Sequence, residues 1–304
     1  MNDETIQLNV EGGETINVVI DQAAGKRCGR VVLVPPFGMS GERMFAAAYI
    51  LTMNGFDVLR CDPRDQPGES SGSTETFRLS RLTKDISAVL TLAPDGILAA
   101  MSLSGRGALR ALRNSRDMRG AVLVTPVVNV RRTLFEVLGD DWFERIAYDN
   151  TPRVRVLGHF VSTDFIHDCQ KHNFINTEDS VADVLAGHAE VTLIAGEDDP
   201  WVSLDDVRAL EARTNDKHKR TRVITVGSAS HQLYRNPVLA MTFMQIMTSE
   251  CLRLAGVAGD TAVFPLFSEI VAAIEHFRTS PNVNGASTAH GLTHTRAEVS
   301  SYGA

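Results

Sequence analysis

Residues 96–113 read GILAAMSLSGRGALRALR, and the stretch changes character at its middle. Ile97 to Met101 form a short apolar run, as in a strand covered on both faces. Ser102-Leu103-Ser104-Gly105 breaks the run, and Ala108, Leu109 and Leu112 then recur at helical spacing. A strand, a tight serine-bearing turn and a helix make a nucleophile elbow, which lifts a serine oxygen above the sheet edge. The following amide, at the helix N-terminus, can stabilise developing negative charge. The general motif is Gly-x-Ser-x-Gly. Centred on Ser104 it reads Ser-Leu-Ser-Gly-Arg, with Ser102 and Arg106 where glycines are usual. Ser104 is preferred to Ser102 because Gly105 follows it directly, while Ser102 reads as strand.

Towards the N-terminus, Ile6, Leu8 and Val10 alternate, as do Ile16, Val18 and Ile20, with Gly12-Gly13 between them. That pattern predicts an antiparallel hairpin at a sheet edge. Buried strands are expected at 30–34 and 56–61, each followed by a turn-rich loop, with helices at 41–54 and 79–92 between strands. Gly55 stands where a C-cap glycine belongs. After the elbow, strands are expected at 120–125, 191–195 and 222–226, and helices at 202–212, 237–255 and 261–278. Strands alternating with helices predict a mostly parallel sheet covered on both faces.

The segment between Pro126 and Val191 fits no strand–helix–strand spacing. Its helical patches (129–138, 140–148, 178–186) and polar middle read as an inserted helical lid at 127–188. The core is then 1–126 with 189–278, and the small, polar residues 279–304 read as a disordered tail.

Composition narrows the classes. The chain has 304 residues, a formal net charge of −7 and 43% hydrophobic residues, as in a soluble globular enzyme. The acidic balance argues against nucleic acid or an anionic membrane as the main partner. Cys28, Cys61, Cys169 and Cys251 are widely spaced and read as reduced thiols. The N-terminus lacks a basic or apolar signal segment, and no apolar run is long enough to span a bilayer, so a cytoplasmic location is expected. No glycine-rich phosphate loop is present, and no cofactor is expected. His290 and His294 stand four apart without a supporting acid, which does not make a metal site.

A serine alcohol needs a base to take its proton, and the base needs an acid to orient it. Behind the strand VTLIA comes Gly196-Glu197-Asp198-Asp199-Pro200-Trp201-Val202, and behind TRVITV comes Gly227-Ser228-Ala229-Ser230-His231. Each lies at the C-terminal end of a predicted parallel strand, where open α/β sheets place ligands. Separately, His231 reads as a loop histidine, Asp198 and Asp199 as helix caps, and the serines as turn formers. Together, their order after successive core strands predicts an α/β-hydrolase fold with Ser104, Asp199 and His231 as its triad. Asp199 is chosen over Asp198 because Val202 completes an Asp-x-x-Val turn. Gly105 is the expected first oxyanion donor and Phe37, in Pro35-Pro36-Phe37-Gly38, the second; Phe37 also reads as a plain core residue.

The sequence also resembles the acyl-transferase (myristoyl thioesterase) family of bacterial bioluminescence. The matching stretches are Gly55-Phe56-Asp57-Val58-Leu59-Arg60, Glu69-Ser70-Ser71-Gly72, Ala100-Met101-Ser102-Leu103-Ser104-Gly105-Arg106, Phe165-Ile166-His167-Asp168-Cys169, Asp199-Pro200-Trp201-Val202 and Gly227-Ser228-Ala229-Ser230-His231. The resemblance spans roughly residues 30–250 and implies a nucleophile at Ser104, an acid at Asp199 and a base at His231. It implies cleavage of an acyl thioester, with an acyl carrier protein as a possible partner. A small-molecule ester or C–C bond hydrolase and a non-catalytic binding protein of the same fold are the alternatives. Arg106, Arg110 and Arg113 read as a solvated stripe, with Arg106 placed to meet an acidic carrier.

Overall fold

The structure, a computed structural model, describes residues 3–148, 152–216, 220–258 and 261–279. The tail expected to be disordered, and with it His290 and His294, lies outside the described residues, except for Thr279. Two compact units are present, 1–264 and 265–304. The described part of the second contains a helix, Phe267–Thr279, whose Glu269 carboxylate accepts from the Leu266 amide at its start.

The first unit is built on an eight-stranded sheet. In chain order its strands are β1 (Asp3–Asn9), β2 (Thr15–Asp21), β3 (Gly29–Val34), β4 (Phe56–Asp62), β5 (Ile97–Met101), β6 (Gly120–Val124), β9 (Glu190–Gly196) and β10 (Thr221–Val226). Their spatial order is β1-β2-β4-β3-β5-β6-β9-β10. Only β2 runs antiparallel to its neighbours β1 and β4; every other pairing is parallel. The parallel strands therefore end along one edge, with β5 between β3 and β6 near the middle.

Alternation along each strand builds two cores. In β5, Leu98 and Ala100 face one hydrophobic cluster, and Ile97 and Ala99 face the other. The first cluster is closed by α2 (Leu79–Leu90), α3 (Leu103–Leu112) and α8 (Leu204–Asn215), the second by α1 (Phe45–Met53) and α9 (Pro237–Leu254). Gly107 lets α3 lie close on α2, since a Cβ there would stand 3.1 Å from two Leu82 side-chain carbons. The chain has the α/β-hydrolase fold: a mostly parallel sheet with helices on both faces.

The segment between β6 and β9, expected as a helical lid, also contains strands. It holds α4 (Val130–Leu138), a short α5 (Trp142–Arg145), a hairpin of β7 (Arg153–Val156) and β8 (His159–Ser162), α6 (Asp164–His172) and α7 (Thr177–Ala186). The hairpin turns at Leu157 and Gly158, both with positive φ (49° and 91°). Leucine is not a turn-forming residue, which hid the hairpin in the sequence. Helix α6 occupies the middle that reads as polar; its Phe165, Ile166 and Cys169 are buried.

Polar bonds hold this segment to α2 and α3. Asp168 of α6 accepts from the Ser80 amide at 3.0 Å and its hydroxyl at 2.5 Å, capping α2 from outside the helix. Asp183 of α7 pairs with Arg106 and Arg110 of α3, both at 2.6 Å. Arg106 is 0% exposed and Asp183 1%. Its guanidinium also donates to the Asn173 carbonyl at 3.0 Å and lies 4.7 Å from the Phe174 ring centroid. Burial lowers its pKa against the opposing pull of Asp183. Arg106 therefore belongs to a buried clamp rather than a solvated stripe, and is not available to an acidic partner.

Candidate active site

The β5–α3 turn places its serines differently from the sequence reading. Helix α3 begins at Leu103, and Ser102 stands at the junction with φ 53° and ψ −128°. That is a sparsely populated conformation for a residue with a side chain, held by its surroundings. The Ser102 amide donates to Val124 of β6 at 2.9 Å, and its carbonyl accepts from Gly105 at 2.9 Å and Val127 at 3.1 Å. Ser102 Oγ lies 2.7 Å from His231 Nε2.

Ser104 is instead buried, 1% exposed, and its hydroxyl donates to the Pro35 carbonyl at 2.6 Å. The serine that meets His231 is therefore Ser102 and not the expected Ser104. Centred on Ser102 the motif is Ala100-Met101-Ser102-Leu103-Ser104, with small residues on both sides. That was the usable signal in the sequence: Arg106 cannot fill a small-residue position, whereas Ser104 can. The glycine requirement falls one turn later, because a Cβ on Gly105 would stand 2.9 Å from Pro126 Cβ.

His231 follows β10, and its Nδ1 lies 2.8 Å from Asp199 Oδ2. The other Asp199 oxygen accepts from the Trp201 and Val202 amides, each at 2.9 Å. Both oxygens are thus engaged and the carboxylate is 2% exposed, which fixes its orientation towards the imidazole. The Val202 bond is the physical content of the Asp-x-x-Val spacing. Asp198 is exposed and contributes its backbone amide to the Ala229 carbonyl at 3.1 Å. The Trp201 ring centroid sits 4.9 Å from that of His231. Residues from three loops, after β5, β9 and β10, thus form one hydrogen-bonded chain at the sheet edge.

Of the two amides expected as oxyanion donors, that of Gly105 is engaged elsewhere. Gly105 spends its N–H on the Ser102 carbonyl, so it is removed from that role. The amide next to Ser102 is that of Leu103, the first residue of α3 and so without an intrahelical acceptor. Phe37 lies in the loop after β3, whose Pro35 is bonded to Ser104. Among the described residues neither the Leu103 nor the Phe37 amide has a hydrogen-bond acceptor. The Phe37 ring is buried, with centroids 5.0 Å from Phe77 and 5.8 Å from His159 of the β7–β8 hairpin. Phe77 in turn stacks on Phe165 of α6 at 5.7 Å. Gly38, at φ +79°, makes room for the hairpin: a Cβ there would meet the His159 ring at 2.8 Å.

Among the described residues no group of three or more His, Cys, Asp or Glu side chains could hold a metal ion. No described helix is long and apolar enough to cross a membrane.

Comparison with known proteins bears on the family and the fold. The acyl transferase of Vibrio campbellii is 28% identical over 262 residues, covering 82% of this chain and 84% of that protein. That of Photobacterium phosphoreum is 27% identical over 256 residues, covering 81% and 80%. Among solved structures, Est1E from Butyrivibrio proteoclasticus with bound ferulic acid superposes with a TM-score of 0.68 at 17% identity, over 83% of this chain and 99% of that one. A soluble variant of the Saccharomyces cerevisiae monoglyceride lipase gives 0.67 at 14% identity, over 84% and 97%. The acyl transferase family matches over residues 8–284, and the chain belongs to that family.

Proposed function

We propose that the protein is a serine acyl hydrolase or acyltransferase that cleaves an acyl thioester through a Ser102–His231–Asp199 triad and an acyl-enzyme. The observation that carries this reading is the Ser102 Oγ–His231 Nε2 contact of 2.7 Å on a positive-φ elbow. Its family supports acyl transfer as the reaction class.

In this mechanism His231 Nε2 takes the Ser102 proton as the oxygen attacks the acyl carbonyl. Asp199 holds Nδ1–H, selects the tautomer and stabilises the imidazolium that forms. Negative charge on the carbonyl oxygen falls between the Leu103 and Phe37 amides. Collapse expels the thiolate, which takes up the proton held by His231, and leaves the acyl group on Ser102. A water or an acceptor hydroxyl, deprotonated by the neutral His231, then attacks the acyl carbonyl, and the proton returns from His231 to the Ser102 oxygen as the acyl group is released. A carrier-linked substrate fits this scheme because a thiolate leaves with little protonation, and the part of the substrate beyond sulfur stays outside the site.

Rapid mixing with a chromogenic acyl thioester, followed by mass spectrometry of quenched samples, tests this reading. An acyl adduct mapped to Ser102 is expected, with matched thioester and oxygen ester sharing one deacylation rate. No adduct at Ser102, even in a chemically trapped sample, overturns the covalent route.

A further inference from the structure

The loop between β4 and α2 carries a side chain that none of the chemistry above uses. Gln66 is 5% exposed, and its Oε1 accepts from the Gly38 amide at 2.8 Å. Because the acceptor end is fixed by that N–H, the other end is the Nε2 amide. Among the described residues that buried nitrogen has no hydrogen-bond partner. Burying an unpaired amide is unfavourable, and a methionine of similar length would fill the space without that penalty. What glutamine supplies and methionine lacks is the acceptor on Gly38. Glutamate would supply it too, but would add negative charge beside a loop that receives a developing anion.

The mount under Gln66 is rigid. Asp65 beside it holds φ 63°, its Oδ1 accepts from Thr76 at 2.7 Å, and its Oδ2 faces Arg81 Nε at 3.1 Å. Asp62 binds the Gly41 amide at 2.6 Å and the Glu69 amide at 3.0 Å, tying the loops after β3 and β4 together on both sides of Gln66. Gly38 itself lies at φ +79° in a turn closed by the Met39 amide on the Pro36 carbonyl at 3.2 Å; that bond leaves the Gly38 amide unengaged, and Gln66 is what holds it.

We propose that Gln66 is a positioning residue of the oxyanion site: by holding the Gly38 amide it fixes the backbone at Phe37, so that the Phe37 N–H faces the carbonyl attacked by Ser102. The inference rests on the serine reading above. A misaligned donor forfeits stabilisation only where charge develops, so the effect falls on turnover and not on ground-state binding.

The test uses Gln66→Met, a chromogenic acyl ester, and hexylboronic acid, which forms a tetrahedral anion on a reactive serine. Expected are losses of about 10- to 100-fold in kcat and in boronate affinity, with KM within about twofold of the wild type. Equal losses in kcat and in ground-state binding, or no loss in either, overturn the positioning role. A measurement on the unaltered protein guards against a variant that does not fold. Hexylboronic acid should move the Phe37 amide proton downfield in the NMR spectrum while the Gly38 amide, already bonded, stays in place; the reverse pattern overturns the inference. If the wild type forms no boronate adduct at Ser102, the serine reading itself falls. If it does and Gln66→Met matches it, only the role of Gln66 falls.

Discussion

The Ser104 hydroxyl donates to the Pro35 carbonyl at 2.6 Å, fastening the first turn of α3 to the loop that carries Phe37. The segments carrying the Leu103 and Phe37 amides, proposed above as the oxyanion donors, are thereby tied together by a residue two positions from Ser102. The two serines of the turn are bonded differently: Ser102 meets His231, and Ser104 braces the loop after β3.

Their substitutions should separate accordingly. Ser102→Ala should cost on the order of 10⁴- to 10⁶-fold in kcat while the fold persists. Ser104→Ala leaves the buried Pro35 carbonyl unpaired and should cost about 1–3 kcal/mol of stability, with a loss of turnover of about tenfold or less. Steady-state kinetics and urea unfolding of both variants check the pair, and the opposite ranking in kcat would return the nucleophile to Ser104.

Asp199→Asn should lower kcat by orders of magnitude, about 10⁴-fold, because the amide favours the wrong imidazole tautomer. Asp198→Asn, whose side chain is outside the hydrogen-bonded chain, should change kcat by less than about tenfold. Side-by-side kinetics on one chromogenic substrate decide between them.

Asp183→Ala should be among the most destabilising single changes in the molecule. It leaves Arg106 buried at 0% exposure without a counter-charge, at about 3–5 kcal/mol. Replacing both partners, Arg106→Met with Asp183→Leu, should recover most of that loss, since two apolar groups then meet. Urea midpoints of the single and double variants provide the measurement; equal midpoints would show that the pair is not coupled.

Thiol labelling tests the packing of both cores. Burial raises the pKa of Cys61, Cys169 and Cys251 well above that of a free thiol, and raises that of half-buried Cys28 less. In the native protein at pH 8, iodoacetamide should therefore react first at Cys28, with the other three labelled only after unfolding. Peptide mapping by mass spectrometry reads the order, and early labelling of Cys169 would show that α6 opens.

Much of this architecture was legible from the chain because β3, β5, β6 and β9 are buried on both faces and read as apolar runs ending in polar loops. The placement of Asp199 at the sheet edge was readable for the same reason, directly behind β9, and that of His231 from its position behind TRVITV, the edge strand β10. The serine that meets His231 was misread by two residues, because a helix that starts on Leu103 and Ser104 has no cap residue to announce it and its apolar spacing shows only from Ala108. Arg106 misled for a different reason. A charged residue at helical spacing reads as solvent-facing, and the counter-charge that permits its burial lies 77 positions away. Nor does any local pattern mark Gln66, whose partner Gly38 belongs to another loop.

The Arg106–Asp183 clamp also bears on the order in which the protein can be made. A ribosome releases residues 1–126, with β1 to β6 and α3, before α7 exists. If that half collapsed fully, α3 would bury a guanidinium with nothing to neutralise it, a penalty that a marginally stable intermediate cannot carry. The outer face of α3 must therefore stay hydrated until Asp183 has emerged. The stretch after β6 thus acts as a late keystone: the turn at Ser102 lies one helical turn from Arg106, at the same end of α3, and should reach its final rigidity only when α7 docks, so a nascent chain interrupted before Asp183 should hold Ser102 without a settled site.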